Sequence, residues 1–466
     1  MTTRVLPSST PASQGVDASG VLAFLDALEA DPAIEPHSLM IMRHGKLVAS
    51  GWWAPYTAER PQLLYSLSKS FTSTAAGFAV AEGLLRLDDP VISYFPEFDA
   101  DVTDPRSRAM LVRHIASMAS GHEAETLDRA RALDPDELVR GFLRIPPERD
   151  PGTVFAYNQP TTYTLARIVQ RVTGQSLTDY LRPRLFDPIG IGEVVWLRDR
   201  SGHDLGFSGL HATTDAIARL GQLYLGGGIW DGRRVLPESW VAEATRLHTA
   251  NDQGPMGGED WRQGYGLQFW MSRHGYRGDG AYGQFCLVLP EHDAVIATTA
   301  ATVEMQRMLE LVWTHLLPAF GPAPLPGAEG ADTALAERLA GLALAPAESK
   351  SAPEEWTAVT FGSHGISAEV TADPDGHCLT LVEDGHRLEL RLAESGWSVT
   401  EEPVPTAVSG GWTDADTLEV DVLFLETPHR LAVTCSLPDR TCVARWRTQP
   451  LHPRPLRAMG APRRSD

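Results

Sequence analysis

The chain has 466 residues, of which 43% are hydrophobic and 21% are charged. This balance is ordinary for a globular protein with two domains, or with one large domain and an appendage. Asp and Glu outnumber Lys and Arg by 60 to 40, which gives a formal net charge of −20. Because a field of this sign repels phosphate backbones, we expect no nucleic-acid partner.

The sequence gives no sign of a membrane, a metal or a cofactor. Neither an apolar signal core near the N-terminus nor a run of about eighteen apolar residues is present, so we expect a cytoplasmic protein without a membrane partner. The four cysteines (Cys286, Cys378, Cys435, Cys442) have no metal-ligand spacing. Cys435 and Cys442 could face each other across a hairpin, where a reducing compartment favours two buried thiols over a disulfide.

Residues 38–53 begin the series of predicted elements with a hairpin, followed by a helix over 66–82 that ends at Gly83. Short helices are predicted over 110–118 and 135–143. Apolar residues at helical spacing predict further helices over 161–173, before Gly174, and over 213–225 and 237–245. Strands are then predicted over 265–270, 283–289 and 294–300, and a long helix over 304–317.

Strands at both ends of this region flank a mostly helical middle, so the expected fold class is α+β. One antiparallel sheet, built from both ends and covered by helices, would carry an all-helical insertion. We assign this domain to residues 1–320 and a Pro/Gly/Ala-rich linker to 321–332. Short alternating runs then predict a small β-barrel or sandwich domain over 333–455, followed by a loose tail over 456–466.

The tetrad Ser66-Leu67-Ser68-Lys69 is the most informative short motif. A Ser and a Lys three residues apart on a helix project from one face. If Ser66 opens the helix, its hydroxyl meets an amine that can act as a base, beside the unpaired N–H groups of the helix terminus. Taken alone, the tetrad is better explained by a serine that caps the helix and a solvated lysine, and only its context favours catalysis.

Two later segments add candidate site residues. Tyr157 follows a Pro-Gly turn, and beside a lysine ammonium its phenol pKa would fall, so that it could shuttle protons; Gln159 offers an amide to substrate. In isolation, Tyr157 is better explained as a half-buried core tyrosine. In the segment 276–284 the glycines would let a ligand approach the backbone, where the N–H of Ala281 could join that of Ser66 as an oxyanion donor. A plain hairpin turn is the alternative for this segment.

In this order, the three segments resemble the serine β-lactamase and penicillin-binding-protein superfamily, with its S-x-x-K, Tyr-containing and K-T-G-like elements. Over residues 10–320 the chain is most similar to the class C-like branch, which contains esterases, D-amino-acid peptidases and 6-aminohexanoate-oligomer hydrolases. Further matching stretches are EGLLRLDDP at 82–90, SMASGH at 117–122, VTG at 172–174 and LFDPIGI at 185–191. The resemblance also implies a lipocalin-like or barrel module for the C-terminal β region.

The chain departs from the family pattern at three positions. Gln159 stands where members usually carry Asn, Gly278 where β-lactamases and transpeptidases carry Lys, and Asp279 where they carry Thr or Ser, while Gly280 is retained. The missing lysine normally meets a substrate carboxylate, which Asp279 would instead repel. Arg277 could compensate in part. The third motif therefore resembles those of the esterases more than those of β-lactamases or transpeptidases.

The leading hypothesis is a metal-free and cofactor-free serine hydrolase that acts on esters or amides of small molecules or short peptides. Ser66 is the expected nucleophile, Lys69 and Tyr157 exchange protons, and the N–H groups of Ser66 and Ala281 hold the oxyanion. Further residues are expected to line the cleft: Gly280, Gln159, Asp279, Arg277, Tyr282 and His122. Asp279 would favour substrates with a free amine. The alternatives are an acyltransferase that uses the same acyl-enzyme and a non-catalytic penicillin-binding-like ligand binder.

Overall fold

The computed structural model describes residues 5–252, 257–347, 359–361, 366–373, 376–393 and 395–463. Its central element is a six-stranded antiparallel sheet in the order β2-β1-β11-β10-β9-β8. Strands from both ends of the region meet in this sheet, as the sequence predicts. Its strands are β1 Glu35–Arg43, β2 Lys46–Trp52, β8 Trp270–Ser272, β9 Gly275–Gly280, β10 Gln284–Leu289 and β11 Ala294–Ala301.

Two small sheets are separate from the central sheet. One has the order β3-β5-β4, and the other is the hairpin β6-β7. Their strands are β3 Gln62–Leu63, β4 Val195–Trp196, β5 Leu210–Ala212, β6 Ile229–Trp230 and β7 Arg233–Arg234. Because Leu63 pairs with His211, β3 fixes the chain immediately before Ser66.

Some helices pack against the central sheet, and others pack mainly on one another in a helical region. They are α1 Ala18–Ala30, α2 Ser68–Ala81, α3 Pro105–Ala109, α4 Val112–Ala116, α5 Leu127–Leu133, α6 Leu138–Leu143, α7 Gln159–Thr173, α8 Leu177–Leu181, α9 Asp187–Ile189, α10 Thr214–Leu225, α11 Glu238–Ala244, α12 Met305–Leu311 and α13 Glu329–Ala340. Gly83 and Gly174 follow their helices with φ of +71° and +65°, the left-handed conformation expected of a glycine at a helix end.

Several predicted elements are displaced. The predicted strand over 265–270 is mostly irregular, because Gln268 adopts a φ of +65° and regular pairing begins only at Trp270. The glycine-rich segment 276–284 comprises the end of strand β9, a turn over 281–283 and the first residue of β10, so the alternative of a hairpin turn also describes part of it. Helix α13 begins inside the predicted linker. The predicted loose tail instead packs inward, since Leu456 and Met459 are buried in the C-terminal core.

The C-terminal unit, defined here as the described residues from 359 to 463, holds two separate antiparallel sheets on one apolar core. The predicted small barrel or lipocalin-like module is therefore not confirmed. The four-stranded sheet has β12 Val359–Phe361, β13 Ile366–Asp373, β14 Gly376–Glu383 and β15 His386–Leu392; the five-stranded sheet has β16 Ser398–Thr400, β17 Thr406–Trp412, β18 Thr417–Phe424, β19 His429–Ser436 and β20 Thr441–Thr448. Cys435 and Cys442 pair in register between β19 and β20 as buried free thiols.

Candidate active site

Ser66 lies on a 3-10 turn, Tyr65–Leu67, that leads directly into α2. The turn leaves Ser66 half-buried, while its neighbours Tyr65 and Leu67 are buried. Tyr65 has a φ of +47°, a conformation that is unfavourable for a bulky residue. Such backbone strain persists only where the surrounding contacts hold it in place.

Helix α2 is buried along nearly its whole length despite its many hydroxyl side chains. These hydroxyls bind the backbone of neighbouring segments, so they satisfy buried polar groups and fix the helix in position. Ser68 Oγ accepts from the Leu210 N–H at 3.0 Å, and three hydroxyls donate to carbonyl oxygens: Thr72 to Gly206 at 2.8 Å, Ser70 to Gln268 at 3.0 Å and Ser73 to Leu267 at 2.7 Å. The turn Tyr65–Leu67, which we call the nucleophile turn, is therefore attached to a rigid helix.

Lys69 faces Ser66 from the first turn of α2, as the spacing of the tetrad predicts. Its Nζ lies 3.1 Å from Ser66 Oγ, 2.6 Å from Gln159 Oε1 and 2.8 Å from the carbonyl oxygen of Phe207. The side chain is 1% exposed, and it has no carboxylate partner within ion-pair distance among the residues that the structure describes. This is the environment of an amine that gives up its proton easily.

Burial lowers the pKa of Lys69 to about 7, against a smaller opposing effect of the Glu125 and Asp279 charges. A neutral amine has two N–H donors and one lone pair. The Gln159 amide oxygen and the Phe207 carbonyl can only accept, so they take both donors. The lone pair of Lys69 is then left for the hydroxyl proton of Ser66.

Tyr157 is the third polar side chain beside Ser66, which lies close enough to lower the pKa of the phenol in part. Its ring stacks on Trp270 at 5.2 Å between centroids, and Lys69 Nζ lies 4.8 Å from the ring centre. The predicted fall in its pKa is wrong: burial raises the pKa of Tyr157, and the charges of Asp279 and Glu125 add to the rise. Tyr157 therefore remains a protonated hydroxyl at neutral pH.

Gln159 binds Lys69 rather than standing free for substrate, and its backbone N–H donates to the Glu125 carboxylate at 3.1 Å. Glu125 was not found from the sequence, because it lies in a loop without periodic pattern. Its carboxylate also accepts from the N–H groups of Thr126 and Leu127, and partial burial nevertheless raises its pKa. Glu125 is exposed and places a negative charge near Lys69.

Glycine is required on the β9 face that touches the nucleophile turn. A Cβ on Gly280 would lie 2.1 Å from the Leu64 carbonyl oxygen, and one on Gly278 would lie 2.3 Å from Leu67 Cδ1. The close approach admits only glycine at position 280, where the clash is with backbone; at Gly278, the position of the family's lysine, a larger residue would displace the ends of the Leu67 and Ser70 side chains. The close approach also brings Ala281, which follows Gly280 directly, beside the turn that carries Ser66.

Arg277 and Asp279 project from the opposite face of β9, as alternate residues of a strand do. Arg277 Nε donates to Asp279 Oδ2 at 2.8 Å, and both residues are buried. Arg277 also lies over the Trp261 ring at 4.5 Å and donates to Ser272 Oγ at 2.6 Å. Because Arg277 balances the Asp279 charge, the expected recognition of a substrate amine by Asp279 is weakened.

Two other predicted cleft residues lie elsewhere. His122 is fully buried, with its ring nitrogens bonded to Ser120 Oγ at 2.9 Å and to the Ile145 carbonyl at 3.0 Å, so it contributes to packing rather than to the cleft. Tyr282 is 7% exposed and its hydroxyl donates to the Gln449 carbonyl of the C-terminal unit. The structure thus brings together Ser66, Lys69, Tyr157 and Gln159.

The described part of the chain offers neither a membrane-spanning helix nor a metal-binding cluster. None of its helices combines the length and apolar character needed to cross a bilayer. No group of three or more His, Cys, Asp or Glu side chains within the same residues is arranged to hold a metal ion.

The family model described as Beta-lactamase matches residues 23–316, which is more than half of the chain. A 6-aminohexanoate-dimer hydrolase of Paenarthrobacter ureafaciens is 27% identical over 285 residues, covering 56% of this chain and 71% of that protein. Esterase EstB of Burkholderia gladioli is 28% identical over 213 residues, covering 40% of this chain and 54% of that protein. A solved penicillin-binding protein homologue from Pyrococcus abyssi, described as octameric, shares the fold at a TM-score of 0.51 and 16% identity, covering 92% of this chain and 98% of that one. The chain belongs to the beta-lactamase family, and it is a serine hydrolase.

Proposed function

We propose that this enzyme cleaves ester or amide bonds of small molecules or short peptides through an acyl-enzyme on Ser66, in the manner of an esterase or a D-amino-acid amidase. The observation that carries the proposal is the environment of Lys69, whose Nζ lies 3.1 Å from Ser66 Oγ. An amine with a pKa of about 7 is half in its basic form at neutral pH. It is therefore suited to take the proton of the attacking hydroxyl.

In acylation, Ser66 Oγ bonds to the substrate carbonyl carbon as its proton passes to Lys69 Nζ. The N–H groups of Ser66 and Ala281 would bind the oxyanion that forms. When the tetrahedral intermediate collapses, the bond from carbon to the leaving oxygen or nitrogen breaks. Tyr157 gives its hydroxyl proton to the leaving group, and the Lys69 ammonium, whose Nζ lies 4.8 Å from the centre of the Tyr157 ring, returns a proton to the phenolate.

Deacylation follows the same route in reverse, with water in the place of the leaving group. Water attacks the acyl carbon while its proton passes to Lys69 through the Tyr157 hydroxyl, and the bond between Ser66 Oγ and the acyl carbon breaks. Ser66 Oγ then regains a proton from Lys69. No net proton remains on the enzyme, and the products are a carboxylic acid and the alcohol or amine.

The charges of the cleft favour substrates without a carboxylate next to the scissile bond. Glu125 is exposed near Lys69, and β9 has glycine at position 278 instead of a lysine that would bind such a group. The similarity to a 6-aminohexanoate-dimer hydrolase and to an esterase supports both bond types. We expect neutral esters and amine-bearing amides to be accepted.

Exposure of the enzyme to a fluorophosphonate, followed by intact-mass measurement and peptide mapping, tests the proposal. We expect a single adduct on Ser66, together with turnover of p-nitrophenyl acetate and p-nitrophenyl butyrate. Adding an amine acceptor distinguishes hydrolysis from acyl transfer, since transfer would give an amide product in place of the acid. Absence of both adduct and turnover would contradict the proposal and favour a non-catalytic binder.

Replacing Glu125 by glutamine is expected to lower kcat/KM for an amine-bearing substrate, D-alanine p-nitroanilide, by about fivefold relative to p-nitrophenyl acetate. The substitution removes the attraction between the Glu125 carboxylate and the substrate ammonium, which water screens only in part. The measurement is the ratio of the two kcat/KM values at one pH and one ionic strength.

Glu123→Gln is the matched control, since Glu123 is an exposed carboxylate nearby that pairs with Arg149 at 2.7 Å. It should leave the ratio of the two kcat/KM values unchanged. Equal losses on both substrates in Glu125→Gln would show that Glu125 acts on Lys69 or Gln159 rather than on a substrate amine.

A further inference from the structure

Two tyrosines flank the proposed oxyanion donors. Tyr65 immediately precedes Ser66, and Tyr282 immediately follows Ala281. Both have left-handed backbones, with φ of +47° and +68°, which bulky residues seldom adopt. Since each such conformation needs support from outside its own segment, the contacts of these two side chains indicate what fixes the oxyanion hole.

Both hydroxyl groups bind the C-terminal unit. Tyr65 Oη lies 2.6 Å from His429 Nε2, and Tyr282 Oη donates to the Gln449 carbonyl. The other ring nitrogen of His429, Nδ1, lies 3.0 Å from the Thr448 carbonyl, which can only accept. Nδ1 therefore carries the hydrogen, and Nε2 accepts from the Tyr65 hydroxyl.

The three rings also pack against one another edge to face. The Tyr65 and Tyr282 centroids are 5.4 Å apart, and His429 lies 5.9 Å and 5.5 Å from them, with interplanar angles between 66° and 87°. All three residues are buried. Edge-to-face packing of this kind fixes ring orientation as well as position.

The strand before the nucleophile turn is joined to the same unit. The Leu63 N–H donates to the Glu426 carbonyl at 2.9 Å, and Gln62 Nε2 donates to the Leu425 carbonyl at 2.5 Å. The C-terminal unit thus contacts the chain on both sides of the gap between Ser66 and Ala281.

We propose that His429 is a positioning residue of the C-terminal unit, which holds the two oxyanion donors at their working separation through Tyr65 and Tyr282. The C-terminal unit then contributes to transition-state binding although it supplies none of the proposed reacting groups. This inference rests on the proposed function, since it requires that the N–H groups of Ser66 and Ala281 bind an oxyanion. Its expected signature is a loss in kcat rather than in substrate binding.

Tyr65→Phe tests the inference, because it removes only the hydroxyl that binds His429. We expect kcat for p-nitrophenyl butyrate to fall about tenfold, less than the loss of a whole oxyanion donor, with KM within about twofold. The inhibition constant of phenylboronic acid, whose serine adduct is tetrahedral, should rise by the same factor as kcat falls. Tyr94→Phe is the control, since the Tyr94 hydroxyl binds Asp89 outside the site; it should change neither value.

A double-mutant cycle with His429→Ala follows. If the two side chains act through one hydrogen bond, the double variant should lose no more kcat than His429→Ala alone. An unchanged kcat in Tyr65→Phe, a loss carried by KM, or additive losses in the cycle would overturn the positioning role. Absence of a fluorophosphonate adduct on Ser66 in the unaltered enzyme would instead overturn the proposed function, and this inference with it.

Discussion

Replacing Ser66 by alanine is expected to reduce kcat for p-nitrophenyl butyrate by a factor of about 10⁴ or more and to abolish the fluorophosphonate adduct. The proposed mechanism has no substitute for the Ser66 hydroxyl. Its nearest hydroxyl neighbours on α2, Ser68 and Ser70, are buried and bonded to the backbone at 3.0 Å. Steady-state kinetics and intact-mass measurement on the same samples provide the test.

Ser93→Ala is the matched control for Ser66→Ala. Ser93 is exposed and its hydroxyl donates to the Pro90 carbonyl at 2.6 Å, away from the cleft. The Ser93→Ala variant should retain full turnover and full labelling by the fluorophosphonate. Because the Ser66 side chain is only half-buried, Ser66→Ala should also unfold at nearly the temperature of the unaltered enzyme. Retained ester hydrolysis in Ser66→Ala would refute the acyl-enzyme.

Replacing Lys69 by methionine is expected to lower kcat/KM about 10³-fold, the usual contribution of a general base. Methionine preserves the length of the side chain but cannot accept the Ser66 proton. Lys46→Met, which alters an exposed lysine at the start of β2, is the matched control and should have no effect.

Lys69→Met also removes the donor to Gln159 Oε1 and to the Phe207 carbonyl, so a loss of activity has unfolding as a second cause. Thermal unfolding of both variants separates the two causes.

The pH dependence supplies an independent test of Lys69 in the unaltered enzyme. Below its pKa of about 7 the amine carries a proton and cannot act as a base, so kcat/KM should fall tenfold per pH unit on the acid side. Above that pKa the neutral amine dominates and kcat/KM should level off. Titration of Tyr157 should not change kcat/KM near pH 7, since burial raises the pKa of its phenol. An acid limb near pH 4 would instead indicate a carboxylate base.

The Ser66 and Lys69 pairing could be predicted from the sequence because it depends only on helical geometry. Positions three apart share one face of a helix, and α2 is a regular helix from Ser68. Tyr157 required the order of the motifs as well, since a single tyrosine after a turn carries no chemistry of its own. The antiparallel sheet and most helices likewise followed from periodicity and from glycines at helix ends.

The remaining parts of the site depend on tertiary contacts that no local pattern reveals. The Phe207 carbonyl is a backbone group, and Glu125 lies in a loop, so neither has a sequence signature. The pairing of Arg277 with Asp279 follows from their being alternate residues of β9, but the glycines of that segment obscured the strand. His122 was misplaced because a histidine in a matching stretch does not reveal which way its ring points. The sign of the Tyr157 pKa shift depended on its burial.

The pairing of β1 with β11 has a consequence for synthesis of the chain. Arg43 pairs with Ala294, so roughly 250 further residues must be made before this contact can form. At ordinary ribosomal speeds this takes on the order of ten to fifty seconds. During that time the emerging β1–β2 hairpin presents an unpaired strand edge with apolar residues such as Leu39 and Ile41. We therefore expect the nascent polypeptide to depend on chaperones that shield such edges, and its soluble yield to rise when those chaperones are supplied in excess.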